Sequence, residues 1–170
     1  MGATLGFRSG TTKWLVIAGL GVGIAALVAL VAVAMPPRSD NAQLARQTKA
    51  MVEKASTYLQ ENGAQKAFAA FDDKSNDEFH DGGIYVFVRT LDGNTIAHGA
   101  FPVMIGQTDL NTKDVDGKLY NKELVELAVS AGSGWVHYRW PNPADNRIEN
   151  KSTFIKRVGD YIVCAGFYED

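Results

Sequence analysis

The chain has 170 residues, 46% of them apolar and 21% charged, a length that fits one globular domain with at most an appendage. That apolar share excludes a disordered chain. The balance of 17 basic against 19 acidic residues, net −2, lacks the concentrated basic footprint of a nucleic-acid binder, so no nucleic acid is expected as a partner.

Trp14 to Met35 is an apolar run with no charged residue, and about 20 such residues cross a bilayer. It reads as a membrane anchor or as the core of a long signal peptide, for which Ala32-Val33-Ala34 offers a small-x-small cleavage pattern. Arg8 and Lys13 precede the run and Arg38 alone follows it closely, a bias that keeps the N-terminus in the cytoplasm. Residues 1–37 are therefore expected to form a cytoplasmic stub and a single membrane span or signal. Residues 38–170 form a domain on the far side of the inner membrane, in the periplasm, either tethered there or released after cleavage.

Past the stiff Pro36-Pro37 linker, Leu44, Met51, Val52, Ala55, Tyr58 and Leu59 recur at helical spacing. They predict one long amphipathic helix over Asn41–Asn62 that Gly63 stops. A short helix follows over Ala64–Phe71, then a polar loop from Asp72 to Gly83. Ile84–Thr90 and Thr95–His98 read as strands joined at Asp92-Gly93. The segment Gly99–Gly117 has no regular pattern, and Lys122–Ala131 has helical spacing. Trp135–Trp140, Ser152–Val158 and Tyr161–Tyr168 complete a set of five strands, the last two joined at Gly159-Asp160.

Alternation in Ile84–Val88 is apolar on both faces, Ile84, Val86 and Val88 on one and Tyr85 and Phe87 on the other. A strand of that kind lies in a sheet covered on both sides. The long helix suits one face. The irregular segment and its helix, from Gly99 to Ala131, must cover the other, a loose layer that readily leaves a small cavity. The expected class is α+β, with a five-stranded antiparallel sheet. Cys164, the only cysteine, excludes an internal disulfide. Within YIVCAGFY it reads as a small core residue.

The order of elements and several local strings resemble a single Cache domain, the PAS-like sensor module of chemoreceptors and sensor kinases, of the type-two group. The strings are Asn62-Gly63 with Lys66-Ala67-Phe68 and Phe71-Asp72, then Tyr85-Val86-Phe87 with Asp92-Gly93 and Ala97-His98-Gly99. Ile105-Gly106 and Asp114-Val115-Asp116-Gly117-Lys118 continue it. Gly134-Trp135-Val136, Tyr138, Asn142-Pro143, Lys151 and Phe154, then Gly159-Asp160-Tyr161 and Ala165-Gly166-Phe167-Tyr168, complete it. The match runs from about Leu44 to Tyr168. What the resemblance implies is a PAS-like Cache fold, a pocket for a small organic acid, no catalysis, and a signal that needs a membrane receptor or sensor kinase as partner. Such receptors carry a second membrane helix and an output domain after the last strand, and the sequence given stops at Asp170. The stand-alone exported form of the family is therefore expected.

Candidate ligand residues come from alternation and residue type. Val136, Tyr138 and Trp140 share one face of their strand, and a ring pair with a hydroxyl suits a small carbon chain with a polar end. Lys151 offers a charge-assisted bond to a carboxylate. Taken from the residues alone, a solvated strand-end lysine and a satisfied core tyrosine are the commoner case. The resemblance favours the pocket, because Lys151 falls on the family's lysine position. His98, with an ordinary pKa near 6.5, offers a donor and a pH response, or else a backbone-bonded hairpin end. Phe87 and Met104 complete the candidate lining, with Tyr85 and Phe101 as further ring candidates.

Asp109, Asp114 and Asp116 lack the spacing of a calcium loop, and no GxSxG, HExxH or P-loop string occurs, so neither enzyme activity nor a metal or cofactor is expected. The stripe from Leu44 to Leu59 also offers a homodimer seam. The alternative function is a structural or protein-interaction domain of the cell envelope without a small ligand.

Overall fold

The computed structural model describes residues 40–169. The apolar run Trp14–Met35, its basic flank and the Pro36-Pro37 linker lie outside the described residues. Among the described residues no helix is long and apolar enough to cross a membrane.

Helix α1 spans Asp40–Asn62 and buries Thr48, Val52, Ala55, Ser56 and Leu59 along one stripe. Gly63 ends it at φ 77°, a left-handed conformation that glycine adopts without penalty, and its N–H bonds Leu59 O at 3.0 Å. Helix α2, Ala64–Asp72, buries Ala67 and Phe71. Phe68 stays half-buried and meets the Tyr161 ring edge-on at 5.2 Å.

Six strands form one antiparallel sheet: β1 (His80–Asp81), β2 (Ile84–Thr90), β3 (Thr95–His98), β4 (Ser133–Pro141), β5 (Ile148–Val158) and β6 (Tyr161–Tyr168). Their order is β1-β2-β6-β5-β4, with β3 also paired to β2. The strand beyond the five expected is β1, a two-residue turn-back against Ile84 and Tyr85, too short to leave an alternation pattern in the sequence.

The two faces separate as the alternation predicts. Ile84, Val86 and Val88 join Phe71, Phe79, Phe154 and Phe167 in the core under α1 and α2. Tyr85 and Phe87 face the other way, with Val136, Tyr138, Ile155, Ile162 and Cys164, against a cover that includes Tyr120, Leu124 and Ala128. Fully burying one such side chain contributes roughly 1.5–3 kcal/mol. The cover consists of a 3-10 turn, Pro102–Met104, a run of turns, and helix α3, Tyr120–Ser130.

Helix α3 begins two residues before the apolar spacing indicates. The Asp114 carboxylate accepts N–H bonds from Asp116 at 3.0 Å and Lys118 at 2.8 Å, fixing the turn that delivers the chain into the helix. That same carboxylate also takes the Arg139 N–H at 3.0 Å, so it organises backbone rather than standing open. The Leu44–Leu59 stripe packs on its own sheet, with Leu44, Met51 and Tyr58 partly buried at its margin.

Candidate ligand chamber

Between the sheet and its looser cover lies a chamber of about 10 Å³ lined by Tyr85, Phe87, Arg89, His98, Tyr120, Asn121, Tyr138, Trp140 and Lys151. In this shape it has room for about one water molecule. Its base is the inner face of three strands. Tyr85, Phe87 and Arg89 alternate along β2, Tyr138 and Trp140 along β4, and Lys151 stands on β5 opposite Tyr138 and Tyr168. The walls come from His98 at the end of β3 and from Tyr120 and Asn121 in the first turn of α3.

Lys151 is 1% exposed. Its stem crosses β6 over Gly166, where an added Cβ would stand 2.8 Å from Lys151 Cε and 2.5 Å from Thr153 Oγ1. The missing side chain is what lets a lysine on β5 reach β2. There Nζ donates to Tyr85 Oη at 2.5 Å and to Tyr168 Oη at 3.4 Å, and lies 3.9 Å from the Tyr85 ring centroid. Tyr168 Oη in turn donates to Pro141 O at 2.6 Å. Among the described residues no carboxylate pairs with Lys151, and loss of hydration on burial lowers its pKa well below the ordinary lysine range. The same loss raises the pKa of the Tyr85 hydroxyl well above its usual value.

His98 is buried, and its Nδ1 accepts the Phe101 N–H at 3.0 Å and the Ala100 N–H at 3.4 Å. That assigns its proton to Nε2. Burial, with Lys151 and Arg89 adding repulsion, lowers its pKa to about 3. It is therefore a neutral donor at ordinary pH, and the pH response that an unperturbed histidine would bring is absent. Its ring stacks on Phe87 at 5.4 Å. Tyr138 stacks on Tyr120 at 4.6 Å, and its hydroxyl accepts from Thr153 Oγ1 at 3.0 Å. Trp140 closes the end of the wall, 5.4 Å from Tyr120.

Of the six candidate residues, the chamber gathers Tyr138, Trp140, Lys151, His98 and Phe87. Met104 does not line it. Met104 ends the 3-10 turn half-buried, and from that segment it is Phe101 that turns inward, 5.5 Å from His98 and 6.3 Å from Trp140. Sequence reasoning missed Arg89, Tyr120, Asn121 and Tyr168. Period-two alternation from Tyr85 through Phe87 places Arg89 on the inner face and was signal enough for it. Tyr120 and Asn121 fell in the turn ahead of the expected helix.

Arg89 is fully enclosed and pairs with Asp109 at 2.6 Å while also donating to Gly93 O at 3.0 Å. The chamber thus holds two basic side chains against one carboxylate. A larger groove of about 830 Å³ opens past the ends of β5 and β6, lined by Arg139, Arg147, Glu149 and Glu169 among others. It is an open surface cleft, whereas the small chamber encloses the buried cation and the rings.

A family model described as a Cache domain matches residues 44–170. The chain belongs to the Cache domain family. Over 88 residues it is 33% identical to the sensor histidine kinase MctS of Rhizobium johnstonii, an alignment covering 51% of this chain and 19% of that protein. Over 88 residues it is 31% identical to the methyl-accepting chemotaxis protein McpP of Pseudomonas putida, covering 51% of this chain and 16% of the relative. The alignments therefore span less than a fifth of these curated relatives. A solved structure reported as "Structural basis for carboxylic acid recognition by a Cache chemosensory domain" superposes with a TM-score of 0.67 at 26% identity, covering 76% of this chain and 96% of that one. A periplasmic sensor domain of a chemotaxis protein superposes with a TM-score of 0.61 at 25% identity, covering 76% and 94%. Cache domains are sensory modules rather than catalytic ones.

Proposed function

We propose that this Cache domain captures a short-chain carboxylate in the chamber, on the periplasmic side of the inner membrane, and passes the event to a receptor or kinase partner. The observation that carries the reading is the buried ammonium of Lys151, which among the described residues has hydroxyl partners but no counter-charge. A carboxylate supplies that charge at the cost of one site, and charge-assisted bonds of this kind are about twice as strong as neutral ones. The Tyr85 hydroxyl and the Nε2–H of His98 are the further donors, while Phe87, Tyr138 and Trp140 suit the carbon chain. The structural neighbour with carboxylic acid recognition and the sensor relatives support this reading. Entry requires the cover to shift, because about 10 Å³ does not hold an organic acid.

The test is thermal unfolding of the full chain against a panel of short carboxylates from acetate to succinate. A true ligand at 100 times its Kd adds about 2.7 kcal/mol of stability, and Lys151→Met removes the shift. No shift with any acid sinks the reading. The rival, an interaction domain whose interior is filled by its own side chains, rests on the small chamber volume. It is favoured if the acids fail and the purified chain retains a protein partner that Lys151→Met leaves bound.

A further inference from the structure

Strand β4 ends the sheet order and pairs, among the described residues, with β5 alone. Along an antiparallel strand the N–H and C=O of successive residues point alternately to the two sides. The Arg139 N–H meets the Asp114 carboxylate and the His137 carbonyl meets Lys118 Nζ, both off the sheet. His137 and Arg139 therefore face outward, and by alternation so do Trp135 and Pro141. An outward row of this kind is a template for a further strand.

Two devices stand on that edge. Pro141 has no N–H to offer at its end of the row. At the middle, the turn Asp114–Lys118 supplies one acceptor to the N–H of residue 139, at 3.0 Å, and one donor to the C=O of residue 137. These are the two bonds a neighbouring strand makes, delivered instead by side chains. The turn is built to hold them. Asp114 also accepts the Asp116 and Lys118 N–H groups, Lys118 Nζ pairs with Glu123 of α3 at 2.8 Å, and Asp116 lies 3.8 Å from the Arg139 guanidinium. A further strand reaches β4 only after this turn lets go.

We propose that β4 is a latched strand-addition edge, closed by Asp114 and Lys118 and open, once they release, to the β4 strand of a second copy of this chain. The edge is complementary to itself. Antiparallel pairing about His137 sets Trp135 against Arg139 of the other copy, twice. Both residues lie on one face of the strand, and an indole beside a guanidinium is a favourable cross-strand pair. The latch thus decides whether the sheet stops at β4 or continues into a second molecule.

Disulfide trapping on the full chain in detergent micelles tests the proposal. The native thiol, Cys164, is buried, so His137→Cys supplies the reporting thiol. In the paired edge the two Cα atoms at that position stand about 5.5 Å apart, within reach of a disulfide. Under a mild oxidant, Asp114→Ala with Lys118→Met raises the cross-linked fraction at position 137 by about tenfold over the latched chain, the effect of losing one or more charge-assisted bonds. Ser130→Cys, exposed on α3 away from the edge, reports chance collision and cross-links equally in both backgrounds. If the double variant does not fold, Lys118→Met alone carries the test, because it leaves the bonds within the Asp114 turn in place. Equal trapping at position 137 with and without the latch overturns the latch. No trapping in either overturns the strand-addition edge, and so does a rise at Ser130→Cys that matches the rise at His137→Cys.

Discussion

The two faces of the sheet differ in what they bury. Under α1 and α2 the packed residues are mainly aliphatic and aromatic, with Phe71, Phe79, Val86 and Val163 fully enclosed and the small hydroxyls of Thr48 and Ser56 among them. On the other face the enclosed residues include Lys151, Arg89, His98 and Asn121, and the packing leaves a chamber. One face of the sheet thus serves cohesion and the other encloses costly polar groups. A protein that hides an unpaired ammonium must hold it with the stability of the opposite face.

The largest expected effect breaks the cohesive face. Phe71→Ala deletes a fully buried ring set edge-on to Phe79 at 4.7 Å and is expected to cost about 3–5 kcal/mol, read from urea unfolding. If that loss were below about 1 kcal/mol, the contrast between faces would be wrong. Next is Gly166→Ala, which sets a methyl 2.8 Å from Lys151 Cε and against Ser152 O. It is expected to cost about 1–3 kcal/mol and to abolish the carboxylate-induced thermal shift, since the lysine no longer crosses β6.

Lys151→Met acts in the opposite sense on stability. Removing a buried cation that has no counter-charge is expected to raise the stability of the empty protein by about 0.5–2 kcal/mol while eliminating acid binding. A variant both less stable and still responsive to acids would refute the assignment.

The smallest effect is a pH slope. Burial lowers the Lys151 pKa in the folded state, so between that lowered value and the ordinary lysine pKa the unfolded chain holds a proton the folded chain lacks. Stability of the empty protein therefore rises with pH across that window. A bound carboxylate favours the ammonium, so binding takes up a proton and affinity falls as pH rises through the same window. Calorimetry in buffers of differing ionisation heat measures the uptake, and Lys151→Met abolishes it.

Much of the architecture is legible before any coordinates. β2, β3 and β6 keep the bounds expected from β-branched runs and turn residues, and the faces follow from period two. The chamber is legible only where a residue's side of a strand is. Tyr138 and Trp140 are found by alternation, whereas Lys151 becomes a buried residue only through Gly166, a contact across two strands that no local pattern encodes. Tyr120 and Asn121 were hidden by the start of α3, because a helix's first turn is set by the Asp114 turn before it rather than by apolar spacing. Met104 was misplaced for a like reason, since a 3-10 turn rotates successive residues in a way an irregular sequence does not announce.

The near-closed state of the chamber also bears on time. With space for little more than a water, the carboxylate proposed above cannot enter at the rate it diffuses up to the surface; it waits for the cover of α3 and the 3-10 turn to part from the sheet. The observed association rate then levels off at high solute concentration, at the frequency of that parting. Under the proposed carboxylate capture, a detector built this way averages over brief fluctuations in its surroundings and reports the sustained level.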